Sequence, residues 1–189
     1  MAAGRYPVRY DRNYLLNGSP AGPVLENFDR WAITTDLTAP ATEVMTTVAI
    51  PLQAGDVVTS ITFKSGATAA DTPLAWWFAL YSSAAVPALL AQTANQATGA
   101  WAANTSKTVA LATPQLIEEP GVYYAAFMMK ATTVVTLIGR TLALAGASTG
   151  SITGQKVLAQ TSGSALAATA PATVASPTTS ALVPYVVLT

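Results

Sequence analysis

From residue 31 onward the chain never runs far before a breaker stops it. Short β-branched and aromatic runs alternate with Gly, Pro, Asn, Asp and Ser, which points to recurrent short strands and leaves helix as the poorer reading for ATEVMTTV (41–48) and ALLAQTANQA (88–97). The segments read as strands are WAITTDL (31–37), TEVMTTVAIPL (42–52), VVTSITFKSG (57–66), PLAWWFALYSS (73–83), PALLAQTA (87–94) and SKTVALAT (106–113). GVYYAAFMMKA (121–131), TTVVTLIGRTL (132–142), QKVLAQT (155–161) and ALVPYVVLT (181–189) follow. This spacing predicts about eight to ten strands in an all-β, antiparallel sandwich of jelly-roll type. In VVTSITFKSG, alternation sets Val58, Ser60 and Thr62 against Val57, Ile61 and Phe63.

Composition supports strands over helices. Alanine (38 residues) accounts for much of the 51% hydrophobic content and buries little area, and threonine (27 residues) favours extended backbone. At 189 residues the chain suits one domain with an appendage, or two very small domains. The expected division is an extended N-terminal arm, 1–30, and a sandwich domain, 31–189. Within the latter, 141–181 is Ala/Ser/Thr/Gly-rich, expected as loops and small-residue strands against a neighbour or as a mobile stretch, and 182–189 is the closing strand.

Charge sets the arm apart. Residues 1–30 hold seven of the 18 charged residues, including Arg5, Arg9, Arg12 and Arg30. Tyr6, Tyr10 and Tyr14 recur every fourth position, as on a helix face, but Pro7 and NGSPAGP (17–23) favour an extended, turn-broken segment. Arg5, Tyr6, Arg9, Tyr10, Arg12 and Tyr14 are therefore read as an assembly arm that packs on another subunit, in preference to a solvated tail.

Nine basic and nine acidic residues cancel, so the chain lacks the basic surplus of a nucleic-acid binder. Without cysteine there are no disulfides or thiolate metal sites. Without histidine the usual general base and the commonest metal ligand are missing. No catalytic, cofactor-binding or metal-binding residue is nominated, and no enzyme activity is expected. Glu118 and Glu119 adjoin, but in EEPG they read as solvated turn residues rather than a facing acid pair. Asp56 and Asp71 read as turn acids. The opening MAAGRYPVRYDRNYLL has no apolar run of signal-peptide kind, and Lys130 and Arg140 interrupt the most hydrophobic stretch, so neither export signal nor membrane span is expected.

DTPLAWWFALYSS (71–83) carries two adjacent tryptophans. Alternation puts Leu74, Trp76, Phe78 and Leu80 on a core face, and Ala75, Trp77, Ala79 and Tyr81 on the other. The second set alternates small with large aromatic, the make-up of a contact face. Trp77 and Tyr81 are expected to meet a second sheet, another subunit or a ligand such as a glycan. Trp101, in GAWAANTSK, plugs the end of a sandwich or serves as a further contact.

Residues 51–139 also resemble a domain of tailed bacteriophages and prophages, especially of actinobacterial hosts. The stretches that carry the likeness are PLQAGDVVTSITFKSGATAADTPLAWWFALYSS, LLAQTANQATGAWAANTSKTVAL and GVYYAAFMMKATTVVTLIG. The resemblance covers roughly half the chain. It implies a β-sandwich virion structural protein of the minor tail, fibre or capsid-decoration type, located in the virion and partnered by other capsid or tail proteins. Catalytic residues do not come with it, and residues 1–30 lie outside it. A homo-oligomer is expected, with a trimer favoured, and no membrane or nucleic-acid partner. The alternative is a carbohydrate-binding module that attaches the virion to a host-surface glycan through Trp77, Tyr81 and Trp101.

Overall fold

The computed structural model describes residues 25–142 and 154–189. One sheet runs in the order β1 (Leu25–Glu26), β13 (Val186–Leu188), β4 (Val57–Lys64), β7 (Ser106–Leu116). It faces a six-stranded sheet in the order β11 (Thr178–Thr179), β10 (Ala159–Ser162), β3 (Met45–Leu52), β8 (Gly121–Thr133), β5 (Asp71–Tyr81), β6 (Leu89–Gln92). A small third sheet orders β12 (Leu182–Pro184), β9 (Ile138–Thr141), β2 (Thr35–Asp36). Every described strand pair is antiparallel.

Two rows of four, β1-β13-β4-β7 and β3-β8-β5-β6, contain the jelly-roll order. Numbered by sequence among those eight strands, they read first-eighth-third-sixth against second-seventh-fourth-fifth. The other strands are additions: β10 and β11 widen the second sheet beyond β3, and the small sheet forms a separate element. Where β6 and β7 meet, a bridge between Thr93 and Leu111 links the two sheets along one edge.

The core between the sheets is aromatic. Trp76, Phe78, Phe63, Trp101 and Phe127 pack in tilted and edge-on pairs, with Trp76 and Trp101 centroids 5.2 Å apart and Phe63 and Phe78 5.0 Å apart. Strand β8 lies between β3 and β5 and is buried on both faces, which explains why GVYYAAFMMKA reads as a nearly unbroken apolar run.

Two bulges shift the alternation expected from sequence. In β4 the N–H groups of Thr59 and Ser60 both donate to the Thr189 carbonyl, at 2.6 and 2.9 Å, so two residues stand opposite one. The parity therefore flips between Val58 and Ile61. Val58, Ile61 and Phe63 all point inward, and Val57 is exposed rather than aligned with Ile61 and Phe63. In β5 the register slips between Pro73 and Ala75, after Thr72 adopts a positive φ of 46°. Leu74, expected in the core with Trp76, is consequently exposed.

Other boundaries move too. Leu25, the first described residue, is buried and paired with Leu188, so the stretch that starts there packs with the sandwich although its sequence reads as part of the arm. Asn27 is tied in at both ends of its amide: it accepts from the Val186 N–H at 3.0 Å and donates to the Pro184 carbonyl at 2.9 Å. WAITTDL forms a single 3-10 turn (Arg30–Ala32) and the two-residue β2 instead of a full strand. ALVPYVVLT divides into β12 and β13, which belong to different sheets.

Candidate functional site

The six-stranded sheet has a second buried face. Met45, Ala49, Trp77, Ala79, Tyr81, Tyr124, Ala126 and Met128 form its surface, and Leu166, Ala170 and Val174 lie over them. The alternation of alanine with aromatic leaves slots in which a loop backbone can approach the sheet. Three polar tips bind that layer: Trp77 Nε1 donates to the Ala167 carbonyl at 2.8 Å, Tyr81 Oη to the Pro171 carbonyl at 2.8 Å, and Tyr124 Oη to the Val157 carbonyl at 3.2 Å. Leu89 N–H to the Ala172 carbonyl and Val174 N–H to the Pro87 carbonyl extend the seam.

The contact face read from the sequence is thus real, and its occupant is the chain's own 163–177 segment rather than a second sheet, another subunit or a sugar. Trp77 and Tyr81 have no exposed surface, and Trp101 is 1% exposed. Trp101 sits inside the sandwich, donating its Nε1 proton to the Thr105 carbonyl at 3.1 Å. None of the three can present a ring to a glycan, which corrects their nomination as contacts. Trp31 is the tryptophan that sequence reasoning missed: it is 78% exposed, in the turn directly after Arg30. Its signal was a charged neighbourhood (Asp29, Arg30) and no alternating apolar partner.

The arm residues Arg5, Tyr6, Arg9, Tyr10, Arg12 and Tyr14 lie outside the described residues. Glu118 and Glu119 are exposed between β7 and β8. Asp56 Oδ2 accepts the Gln53 N–H at 2.8 Å and pins the QAGD turn, the role expected of a turn acid. Asp71 accepts the Thr72 hydroxyl at 3.0 Å. An ion pair joins Lys130 to Glu43 at 2.6 Å on a half-exposed surface, where such pairs contribute at most about 1 kcal/mol. Among the described residues no cluster of acids could hold a metal ion, and no helix is long and apolar enough to cross a membrane.

One groove is lined by polar as well as apolar groups. It encloses about 520 Å³ beside Tyr124, between Ala84–Pro87, 155–157 and 174–177. Lys156 closes one side by donating Nζ protons to the Ser83 and Ala84 carbonyls, at 3.0 and 3.4 Å. Gln160 lines it from β10, 5% exposed.

Buried phenols give the fold a pH dependence. Burial raises Tyr81 and Tyr124 above the usual phenol value. Tyr185 is raised by burial first, then by its hydrogen bond to Glu26 and the charge of that carboxylate, with Arg30 opposing. A folded-state value above the unfolded one favours the protonated, folded form. The stabilisation is complete below the ordinary phenol value of about 10 and is lost as pH climbs past it. We expect stability to fall steeply above about pH 10, with buried tyrosines ionising only as the chain unfolds. An ultraviolet phenolate titration run beside circular dichroism checks this. Complete ionisation of all seven tyrosines in a still-folded protein would contradict it.

No protein-family model matches the chain, and a search of curated proteins finds none that matches it.

Proposed function

We propose that this protein is a non-enzymatic structural component of a tailed-phage particle, which covers or decorates the head or tail and is anchored by its N-terminal arm. The observation that supports the reading most directly is the jelly-roll strand order, an architecture shared by viral capsid and lectin domains. The fold alone carries no function. What narrows it is the sequence: neutral charge, no histidine or cysteine, and arginine and tyrosine gathered ahead of β1. Among the described residues β1 is an edge strand of the four-stranded sheet, and Trp31, a few residues further along the chain, is exposed. Arginine, tyrosine and tryptophan are the residue types that carry most binding energy at protein interfaces. The domain would act as a homo-oligomer, with a trimer favoured.

The glycan-binding alternative rested on Trp77, Tyr81 and Trp101, and their burial removes its aromatic platform.

Deleting residues 1–24 tests the reading. The cut must stop there, because Leu25, Asn27 and Phe28 are built into the sandwich. The truncated chain retains every described strand and should keep its melting temperature within a few degrees. It should also be missing from purified particles in which the full chain is found. Normal incorporation of the truncated chain would sink the arm-anchoring mechanism, and absence of the full chain from purified heads and tails would sink the virion reading itself.

A further inference from the structure

The groove beside Tyr124 holds a polar group for which the described residues supply no partner. Gln160 is 95% buried by its 5% exposure, yet among the described residues its side-chain amide has no hydrogen-bond partner. Its backbone is engaged in the ladder with Thr47 and Thr179, so only the amide is left over. A buried, unpaired amide costs about 1–3 kcal/mol, so such a group normally has a bound partner.

The surroundings narrow what that partner is. Among the described residues, the only charged group lining the groove is Lys156. Two of its three N–H donors reach the neutral carbonyls of Ser83 and Ala84, and among the described residues no carboxylate pairs with it. The charge favours an anion and leaves a donor for it. The amide of Gln160 offers one acceptor and two donors, which complement the N–H and C=O of a peptide group. The rims, from Ala84 to Val86 and at Ala175, are small and apolar, suited to an extended backbone. Tyr124, the aromatic residue in the lining, is 3% exposed and has no open ring face, so the stacking surface a sugar would use is missing. The volume of about 520 Å³ falls within the range of small-ligand sites.

We propose that this groove binds a short, extended, acidic peptide segment, with Lys156 taking its carboxylate and Gln160 pairing with its backbone. The inference stands apart from the virion reading, since the groove lies on the covered face of the sheet and involves no arm residue.

The test is a titration of the isotopically labelled full chain, followed by amide NMR shifts. The probes are acetyl-Ala-Asp-Ala-amide, its Asn counterpart and an N-acetylglucosamine trisaccharide. The acidic peptide should move the signals of Ala84–Val86, Ala175, Ser176 and the Gln160 side-chain amide. The Asn peptide should bind several-fold more weakly, and Lys156→Gln should erase that difference. Gln160→Met, which keeps the volume, should weaken the acidic peptide about tenfold, the equivalent of one hydrogen bond. Unchanged spectra elsewhere separate lost binding from lost folding. No shift at the groove with the acidic peptide, equal binding of both peptides, or a response to the trisaccharide alone would overturn the proposal.

Discussion

Replacing Trp77 by alanine is expected to destabilise the protein by about 3–5 kcal/mol, the range for emptying a buried aromatic site. The indole is fully buried between the outer face of the six-stranded sheet and the 163–177 segment, and its Nε1 holds that segment through the Ala167 carbonyl. Deletion therefore removes packing and leaves a carbonyl without its donor. The loss should be local before it is global, because Leu166, Ala170 and Val174 of this one segment lie over the face. Urea unfolding measures the total, and limited proteolysis should cut within 163–177 under conditions where the parent chain resists. Trp77→Phe separates the two contributions. It keeps most of the ring and loses the hydrogen bond, so it should cost roughly 1–2 kcal/mol. If Trp77→Ala left stability nearly unchanged and abolished only self-association, the indole would be an intersubunit contact and the burial described above would be wrong.

Gly139→Ala is expected to be comparably damaging for the opposite reason. A methyl group at this position would lie 2.3 Å from the Val183 carbonyl oxygen, 2.9 Å from the Pro184 Cα and 2.7 Å from a Leu37 methyl. Two of those three contacts are with backbone, which cannot swing aside. Strand β9 is the middle strand of the small sheet and is held on both sides: the Thr34 N–H donates to the Gly139 carbonyl and the Tyr185 N–H to the Ile138 carbonyl, each at 3.0 Å. The added atom must force β12 and β9 apart. Overpacking typically costs about 1–3 kcal/mol, and a clash with backbone belongs at the upper end. Thermal melting gives the magnitude, and hydrogen exchange at the Tyr185 amide should accelerate well before global unfolding. A parent-like melting temperature for this variant would show that the two strands do not approach so closely.

Much of this architecture is written in local sequence. Breaker spacing and alternation were enough for an antiparallel sandwich, and Trp76, Phe78 and Leu80 lie in the core as alternation requires. What alternation cannot reveal is an inserted residue. A bulge is decided by the pairing with a distant partner, in β4 by the Thr189 carbonyl and in β5 by the slipped register with β8, so Val57 and Leu74 lie on the face opposite to the one alternation gives. The cover over Trp77 and Tyr81 was hidden for a different reason. Its contribution lies chiefly in the carbonyls of Ala167 and Pro171, and carbonyls are present in every sequence. An Ala/Ser/Thr-rich stretch gives no sign that its backbone will serve as the acceptor layer for a sheet. The same holds for the groove: nothing in QKVLAQT distinguishes Gln160, whose interest comes from β10 pairing beside β3 with its amide facing the outer layer.

The position of β13 dictates an order of events. It is flanked by β1, which among the described residues pairs with it alone, and by β4. During synthesis, β4 and β7 can pair early, but β1 waits for a partner separated from it by almost the whole length of the chain. Until residues 186–188 have left the ribosome, the inner apolar surface under Leu25 stays unsealed. Closure of the sandwich then waits on residues 186–188 and is made through contacts of long sequence separation that form slowly. A nascent chain stalled short of these residues would offer an open sheet edge to chaperones, or to its own copies.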